Sequence, residues 1–188
     1  MRFINSFKPS IFILILLIGC ISNGQMLNNN SVQKQLFEEV IRYDNGKIKS
    51  IIGLNENDQK EGITYEYFPN GLLLKETSYV NDKKEGLEIS YFTNGYIESR
   101  GIYINGLAEG EFNYFYKNGK PFATLFFYND LVISAKNCFT SKGEIVYCGP
   151  LTNGNGVFLK YDKKGNLISK DYFKNGKIIR TENIEVIK

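Results

Sequence analysis

Short stretches in which large apolar side chains alternate with small or polar ones recur along most of the chain. Residues 63–68 and 87–92 show this period of two, which is typical of half-buried β-strands. Turn signals separate the stretches and form two interleaved series. The first series is Asn45-Gly46, Asn70-Gly71, Asn94-Gly95, Asn118-Gly119, Lys142-Gly143 and Lys164-Gly165, and the second is Asn57-Asp58, Asn81-Asp82, Asn105-Gly106, Asn129-Asp130, Asn153-Gly154 and Asn175-Gly176. Because Asn and Gly tolerate the positive φ of tight turns, these twelve signals predict about thirteen antiparallel strands and an all-β fold.

The turns recur with a nearly constant period. From Gly71 to Gly95 the step is 24 residues, as it is for most of the chain, and the last step of each series is 22. Such self-similarity marks a repeat architecture, and a single-layer meander of this length is expected to be elongated and to twist or curl. We expect tight Asn-Gly turns along one edge. The other edge should carry longer loops that end in Glu61-Gly62, Glu85-Gly86 and Glu109-Gly110.

The repeated motif combines an Asn-Gly or Asn-Asp turn, a Glu-Gly pair, an aromatic pair and a further Asn-Gly turn. It resembles the bacterial variant of the MORN repeat, and residues 110–119 are the closest copy. The resemblance covers about residues 40–180 and implies an elongated single-layer antiparallel sheet of stacked β-hairpins. Many bacterial members are described as toxin–antitoxin system antitoxins of the YwqK type. The resemblance therefore also implies an antitoxin or immunity role, in which the protein binds and neutralises a toxin.

The chain departs from its own repeat in three ways. Ile133-Ser134 replaces a Glu-Gly pair, and Asn155-Gly156 stands where a longer loop is expected. The apolar positions also move by one residue relative to the glycine, because Ile63 and Leu87 directly follow it whereas Phe112 is the second residue after it. A one-residue slip moves every side chain of a strand to the other face of the sheet. Either the register shifts locally, or both faces carry apolar strips and one strip is left for a partner.

The N-terminus predicts export. Residues 1–19 combine the basic Arg2 and Lys8 with the unbroken apolar stretch 11–18, which is too short to span a bilayer. The stretch Leu-Ile-Gly that precedes Cys20 resembles a bacterial lipobox, so a lipoprotein-type signal and lipidation of Cys20 are expected.

The alternative is ordinary signal cleavage after Gly24, which would release a secreted or periplasmic soluble protein. In either case residues 20–35 are expected to form a polar tether and residues 36–188 the repeat domain. The lipidated form would be a membrane-anchored protein of the cell envelope.

Composition narrows the possible chemistry. Residues 1–19 hold two of the 23 basic residues and no acidic residue, which leaves 21 basic against 20 acidic residues and no footprint for nucleic acid. Histidine is absent, which removes the commonest general base and metal ligand. Glu61, Glu85 and Glu109 recur because the turn recurs, and no cleft is implied around them. We therefore expect a non-enzymatic protein without a catalytic, cofactor or metal site.

Two cysteines flank the Lys142-Gly143 turn at nearly equal distances. Cys138 and Cys148 should lie almost opposite each other across one hairpin. In an exported protein this placement favours a disulfide, given matching strand geometry. Two buried thiols are the alternative, and the sequence leaves both open.

Aromatic side chains recur at regular positions, with 13 Tyr and 14 Phe in the chain. A single sheet has few other large side chains to stack across its strands, so we expect most of them to form the core. Tyr79, Tyr103 and Tyr128 near strand ends are the candidates for a surface role. The expected function is binding or scaffolding at the cell envelope, with an unknown protein or an envelope component as partner. The alternative is the antitoxin role, for which the partner is a toxin.

Overall fold

The computed structural model describes residues 36–185, and within them it contains fourteen β-strands and no helix. The strands are β1 Phe37–Arg42, β2 Ile48–Leu54, β3 Gly62–Tyr67, β4 Leu73–Val80, β5 Lys83–Tyr91, β6 Ile97–Ile104, β7 Leu107–Phe115, β8 Pro121–Tyr128, β9 Leu131–Lys136, β10 Cys138–Phe139, β11 Ile145–Val146, β12 Gly156–Tyr161, β13 Leu167–Lys174 and β14 Lys177–Asn183. The same part of the chain accordingly offers no helix with the length and apolarity needed to cross a bilayer. The predicted all-β meander of antiparallel hairpins is confirmed.

The meander is divided into three sheets. Strands β1 to β9 form one sheet in chain order, β10 pairs with β11, and β12 to β14 form the third sheet. All twelve predicted turns lie between consecutive strands. The count is fourteen rather than thirteen because Asn137, with a φ of 52°, interrupts the ninth strand and separates β9 from β10.

The prediction assigned the tight turns and the longer loops to the wrong edges. The second series forms the tight turns, and the first series forms the longer loops. In the second series both turn residues have positive φ, as at Asn81 (47°) and Asp82 (66°), so these are two-residue turns of type I′. The exception is Asn57-Asp58, where only Asp58 has a positive φ. Every turn of the first series is a longer three-residue loop. In one of them the amides of Gly71 and Phe68 bond the carbonyls of Phe68 and Leu72, each at 2.8 Å.

The pairs Glu85-Gly86 and Glu109-Gly110 lie inside strands β5 and β7 and not at the ends of loops, whereas Glu61-Gly62 ends a loop as predicted and begins β3. Gly86 and Gly110 have φ values of 96° and 72°, which only glycine adopts without strain. The pairing of β4 with β5 shifts between Thr77 and Tyr79, opposite Gly86, and that of β6 with β7 shifts in the same way opposite Gly110. The repeated glycine therefore permits a β-bulge, which bends the strand and increases its twist.

Both faces of the sheet carry apolar strips. The bulge glycines Gly86 and Gly110 pair with Tyr103 and Phe127 in the same register, so no slip occurs between the repeats. Because the register is kept, Leu87 lies on one face, here called the outer face, and Phe112 lies on the other, the inner face. The structure therefore has apolar strips on both faces, the first part of the second alternative left by the sequence.

The inner face changes character along the sheet. In the N-terminal half it carries a paired row of small or polar residues that ends in a glycine, Thr64, Thr77, Glu88 and Gly101. From Phe112 onward it is apolar, and there it packs against the third sheet. The core consists of Ala123, Val132, Cys138, Cys148, Leu151, Phe158 and Phe173. Most of the buried apolar surface thus lies between β8, β9 and the segment that follows them.

The edge with two-residue turns continues across the break between sheets. Each turn donates a backbone hydrogen bond to the repeat before it, and the series extends from Asp82 N–Lys60 O through Gly154 N–Ile133 O to Gly176 N–Gly154 O. The Gly176 carbonyl also accepts a hydrogen bond from the Val132 amide at 3.1 Å, which draws the last turn back onto β9.

Along the edge with three-residue loops, the links between successive loops do not continue to the end of the chain. The side-chain amides of Asn94 and Asn118 donate to the carbonyls of Lys117 and Ser141 in the following loop, at 2.7 and 2.8 Å. Lys142 and Lys164 replace asparagine in the last two loops and lack this amide. The link between loops therefore ends where the sheet divides.

Candidate functional site

The repeated glutamates support the neighbouring turn. The backbone amides of Asn81, Asn105 and Asn129 donate hydrogen bonds to the carboxylates of Glu61, Glu85 and Glu109, at 3.1, 2.7 and 2.8 Å. Each glutamate thus binds the first residue of the type I′ turn that lies 20 residues further along the chain. Their recurrence has a structural cause in the stacking of repeats.

A charged cluster lies on the inner face beside these turns. The Lys84 ammonium contacts the Glu88 carboxylate at 2.6 Å, and the Thr77 hydroxyl donates to the same oxygen at 3.1 Å. Burial by itself lowers the pKa of Lys84, but the hydrogen bond to Glu88 and the nearby Glu88, Tyr103 and Tyr79 side chains together outweigh burial and raise the pKa of Lys84. The charges of Lys84 and Glu88 in this cluster are paired with each other.

The three candidate tyrosines differ in exposure. Tyr128 is 61% exposed, whereas Tyr79 and Tyr103 are partly covered by lysine side chains. The Lys60 ammonium lies 4.9 Å from the centre of the Tyr79 ring, and that of Lys84 lies 4.3 Å from the Tyr103 ring. Tyr103 also meets Phe112 edge-to-face with ring centres 5.6 Å apart. Of the three, Tyr128 alone presents most of its ring to solvent.

Cys138 and Cys148 are joined by a disulfide, with Cα atoms 5.4 Å apart. Both residues are buried within the core. The bond spans the two-residue strands β10 and β11, in which Cys138 pairs with Val146. Beyond it, the Leu159 amide donates to the Cys148 carbonyl at 2.8 Å, so the bonded pair connects the first sheet to β12. Cys20, the predicted lipidation site, lies outside the described residues.

A groove with a volume of about 360 Å³ lies between strands β7 to β9 and the third sheet. Five aromatic rings line it, and Leu125, Val132 and Ile178 complete most of its apolar wall; the rings are those of Tyr114, Phe122, Phe127, Phe158 and Phe173. Phe122 and Phe158 meet edge-to-face across the two sheets with ring centres 5.9 Å apart. The groove is open to solvent along one side, and its size falls within the range of about 300–1,000 Å³ that is usual for small-molecule sites.

One ion pair supplies charge to this apolar groove. Asp171 on β13 and Lys160 on β12 both line it, and the Lys160 ammonium lies 2.6 Å from Asp171 Oδ2. The Thr181 hydroxyl donates to Asp171 Oδ1 at 2.7 Å. The Asp171 side chain is 4% exposed and that of Lys160 is 38% exposed. The carboxylate is therefore held inside with both oxygens bonded, and the Lys160 side chain is the more exposed partner of the pair.

Sequence reasoning did not find this groove. The available signal is the alternation Ser169, Asp171 and Phe173, which places a carboxylate on the same face as a core phenylalanine. A charged residue at an inward position is informative because buried carboxylates are almost always paired. The partner was not predictable from β13 alone, since Lys160 lies diagonally across on the neighbouring strand.

The outer face of the first sheet leaves apolar side chains uncovered. Ile63, Leu87 and Ile102 are 45%, 47% and 50% exposed, and Leu87 pairs directly with Ile102. Tyr65 and Ile89 lie in the next row of the same face, on either side of Glu76. We call these five residues the outer strip. Exposed apolar side chains gathered on one face of a sheet, here interrupted by Glu76, are typical of contact sites.

Metal ligands do not gather in the part of the chain that the structure describes, where no group of three or more His, Cys, Asp or Glu side chains is suitably placed. The arrangement offers an apolar contact face, a mostly apolar groove and one ammonium. It therefore supports binding.

The family model of the MORN repeat variant matches residues 60–81, 108–130 and 154–175. Each matched segment holds one hairpin, formed by β3 and β4, by β7 and β8, and by β12 and β13. Strands β5 and β6, between the first two matches, form the same hairpin. No curated protein matches the chain. The chain thus contains three segments that are similar to the MORN repeat variant, and together they cover somewhat more than a third of its length.

Proposed function

We propose that this protein is a non-enzymatic binding or scaffold protein that contacts a partner protein through the outer strip. The observation that carries the proposal is the exposure of Ile63, Leu87 and Ile102 on a regular, hydrogen-bonded sheet. Burial of apolar surface contributes roughly 25 cal/mol per Å², so these side chains would gain free energy when a partner covers them. Repeat sheets commonly use such extended surfaces for recognition.

The outer strip has the composition of a protein contact. Its apolar residues share the face with two charged residues. In the paired row Tyr65, Glu76, Ile89 and Arg100, Glu76 lies between two apolar residues and Arg100 lies at the end. Such a mixture of apolar and charged side chains is usual for protein interfaces taken as a whole. Isolated charges at the rim affect orientation and association rate more than affinity.

The test is capture of the partner by three forms of the full-length protein. We expect wild type and the control Glu98→Lys to capture the same protein after cross-linking in envelope extracts, and the double variant Leu87→Glu/Ile102→Glu to lose it. Glu98 is exposed on β6, outside the strip, so the control tests for a general effect of altered charge. Equal capture by all three forms, with equal unfolding midpoints, would contradict the proposal.

We also propose that the protein is exported and anchored through a lipid on Cys20, which the apolar stretch 11–18 and the following Leu-Ile-Gly-Cys support. Replacement by Cys20→Ala should block lipidation and move the protein out of the membrane fraction. Unchanged processing and fractionation would favour cleavage after Gly24 and a secreted or periplasmic protein. In the anchored form, the outer strip would meet partners in the cell envelope.

The antitoxin role remains a hypothesis that rests on the resemblance. It predicts that co-expression with a toxin encoded by a neighbouring gene restores growth. It further predicts that the variant Leu87→Glu/Ile102→Glu fails to protect while Glu98→Lys protects. Normal growth after deletion of the protein alone, with the toxin gene intact, would contradict it.

A further inference from the structure

The groove between strands β7 to β9 and the third sheet is chemically unlike the outer strip. It is concave, and five of its eleven lining residues are aromatic. Aromatic side chains favour edge-to-face and offset contacts, so a flat ring can pack among them without rearrangement of the wall. The shape and lining therefore favour a small molecule with an aromatic body over an extended protein segment.

The polar groups of the groove determine which polar group the ligand should carry. Both oxygens of Asp171 are bonded, one to Lys160 and one to Thr181, and the side chain is 4% exposed, so the carboxylate is poorly accessible to a donor of the ligand. An ammonium has three N–H donors, and the contact with Asp171 uses one of them. The groove thus offers donors at Lys160, and the ligand group that suits them is an acceptor. An anionic acceptor forms the stronger, charge-assisted hydrogen bond.

Tyr114 adds a second donor to the lining. The residue lines the groove, and burial, with smaller contributions from Tyr103 and Glu88, raises the pKa of Tyr114 to about 12. Like any phenol below its pKa, the hydroxyl keeps its proton near neutral pH and is a hydrogen-bond donor. A cationic ligand is disfavoured at the same place, because Lys160 is the more exposed of the two charged side chains that line the groove.

We propose that this groove is a binding site for a small aromatic molecule that carries one carboxylate or sulfonate group, with the anion on the Lys160 ammonium and the ring among Phe122, Phe127 and Phe158. Asp171 acts as a positioning residue that holds Lys160 at the groove. The site lies apart from the outer strip, and neither proposal depends on the other.

The experiment uses two fluorescent probes with the same aromatic body. The anionic probe is 8-anilinonaphthalene-1-sulfonate, and N-phenyl-1-naphthylamine lacks the sulfonate. We expect the natively folded protein to bind the anionic probe at one saturable site and more tightly than the neutral probe. In Lys160→Met the affinity for the anionic probe should fall by about tenfold or more, while that for the neutral probe stays within about twofold.

A second pair of variants guards against misfolding of Lys160→Met, in which Asp171 loses its partner. Ile178 lines the groove and is 54% exposed, whereas its neighbour Ile179 is 63% exposed and is not part of the lining. Ile178→Trp should fill the opening of the groove and lower the affinity for both probes by about tenfold. Ile179→Trp should leave both affinities unchanged. Equal binding by Ile178→Trp and Ile179→Trp would overturn the site. An equal loss of both probes in Lys160→Met, with the unfolding midpoint retained, would overturn the contact between Lys160 and the anion.

Discussion

Each recurring glutamate of the Glu-Gly pairs binds a backbone amide of the next repeat, and the neighbouring glycine permits the bulge that brings it there. The Glu85 carboxylate accepts from the Asn105 amide at 2.7 Å, the shortest contact of the three. A carboxylate that accepts from a turn amide stabilises that turn in the same way as a side-chain cap stabilises the first turn of a helix. The residue types of the motif are thus explained by backbone hydrogen bonding between repeats.

Replacement of one such glutamate should have a measurable cost. Glu85→Ala removes the acceptor of the Asn105 amide and should lower the free energy of unfolding by about 1 kcal/mol. The control is Glu98→Ala on the adjacent β6, which is exposed and should change stability by less than about 0.5 kcal/mol. Urea unfolding measures both, and equal midpoints for the two variants would contradict the role of Glu85.

Gly101 marks the point where the inner face changes from small and polar to apolar. It is buried, and a Cβ added to it would overlap the ring of Phe112. Gly101→Ala should therefore lower the free energy of unfolding by about 1–3 kcal/mol, because the ring has to move. In a Phe112→Leu background the same substitution should cost clearly less. An equal cost in both backgrounds would show that the ring is not the obstacle.

At the scale of elements, local chemistry predicted where the strands end but not the size of the turns. The turn positions follow from residues that tolerate positive φ, such as Asn81 and Asn105, and the structure has positive φ at both. The same dipeptide Asn-Gly occurs in a three-residue loop at Asn70-Gly71 and in a type I′ turn at Asn105-Gly106. Loop size depends on the register of the strands on either side, which the turn residues do not specify.

The disulfide stabilises the shortest strands of the fold. Strands β10 and β11 contain two residues each, and a pair of this length is not stable by itself. The cysteines are separated by 10 residues. A disulfide that closes a loop of this length lowers the conformational entropy of the unfolded chain and thereby stabilises the folded state by about 2–3 kcal/mol. Cys138→Ser/Cys148→Ser should lower the free energy of unfolding by this amount.

A reducing agent supplies the control for that prediction. It should lower the unfolding midpoint of wild type and leave the double serine variant unchanged. The mass of the intact protein should rise by two hydrogen atoms on reduction. If the mass does not change and both thiols react with a label before reduction, the cysteines are unpaired in solution.

At the scale of the whole molecule, hydrogen bonds join successive turns along the whole of one edge but only along part of the other. The turn-to-turn hydrogen bonds extend past Ile133 to Gly154 and Gly176, whereas the asparagine links of the opposite edge end at Ser141. A sheet held along one edge only can curl at the break, and this curl brings β12 and β13 onto the inner face of β8 and β9. The groove and its pair Lys160–Asp171 result from that curl. They could not be predicted from the spacing of the turn residues. That spacing shows which strands are adjacent in the meander, but not which strands pack face to face in the folded chain.

Two tyrosines are expected to make the folded state less stable at alkaline pH. Burial raises the pKa of Tyr114, and burial together with the hydrogen bond to Glu76 raises that of Tyr91, each to about 12. The unfolded chain has the ordinary value of about 10, so folding favours the protonated phenols. Their contribution is fully present below about pH 10 and is lost as the pH rises from about 10 to about 12.

The matched variants isolate this effect from the titration of lysines over the same range. The free energy of unfolding of wild type should fall more steeply between about pH 10 and about pH 12 than that of Tyr114→Phe or Tyr91→Phe. Because Tyr114 lies in the groove between the first and third sheets, its ionisation should also release the anionic probe in wild type. Tyr91 lies outside the groove lining, so Tyr91→Phe should leave the pH dependence of probe binding unchanged. Identical slopes for wild type and Tyr114→Phe would show that the phenol at the groove is not protected from ionisation by the packing of the two sheets.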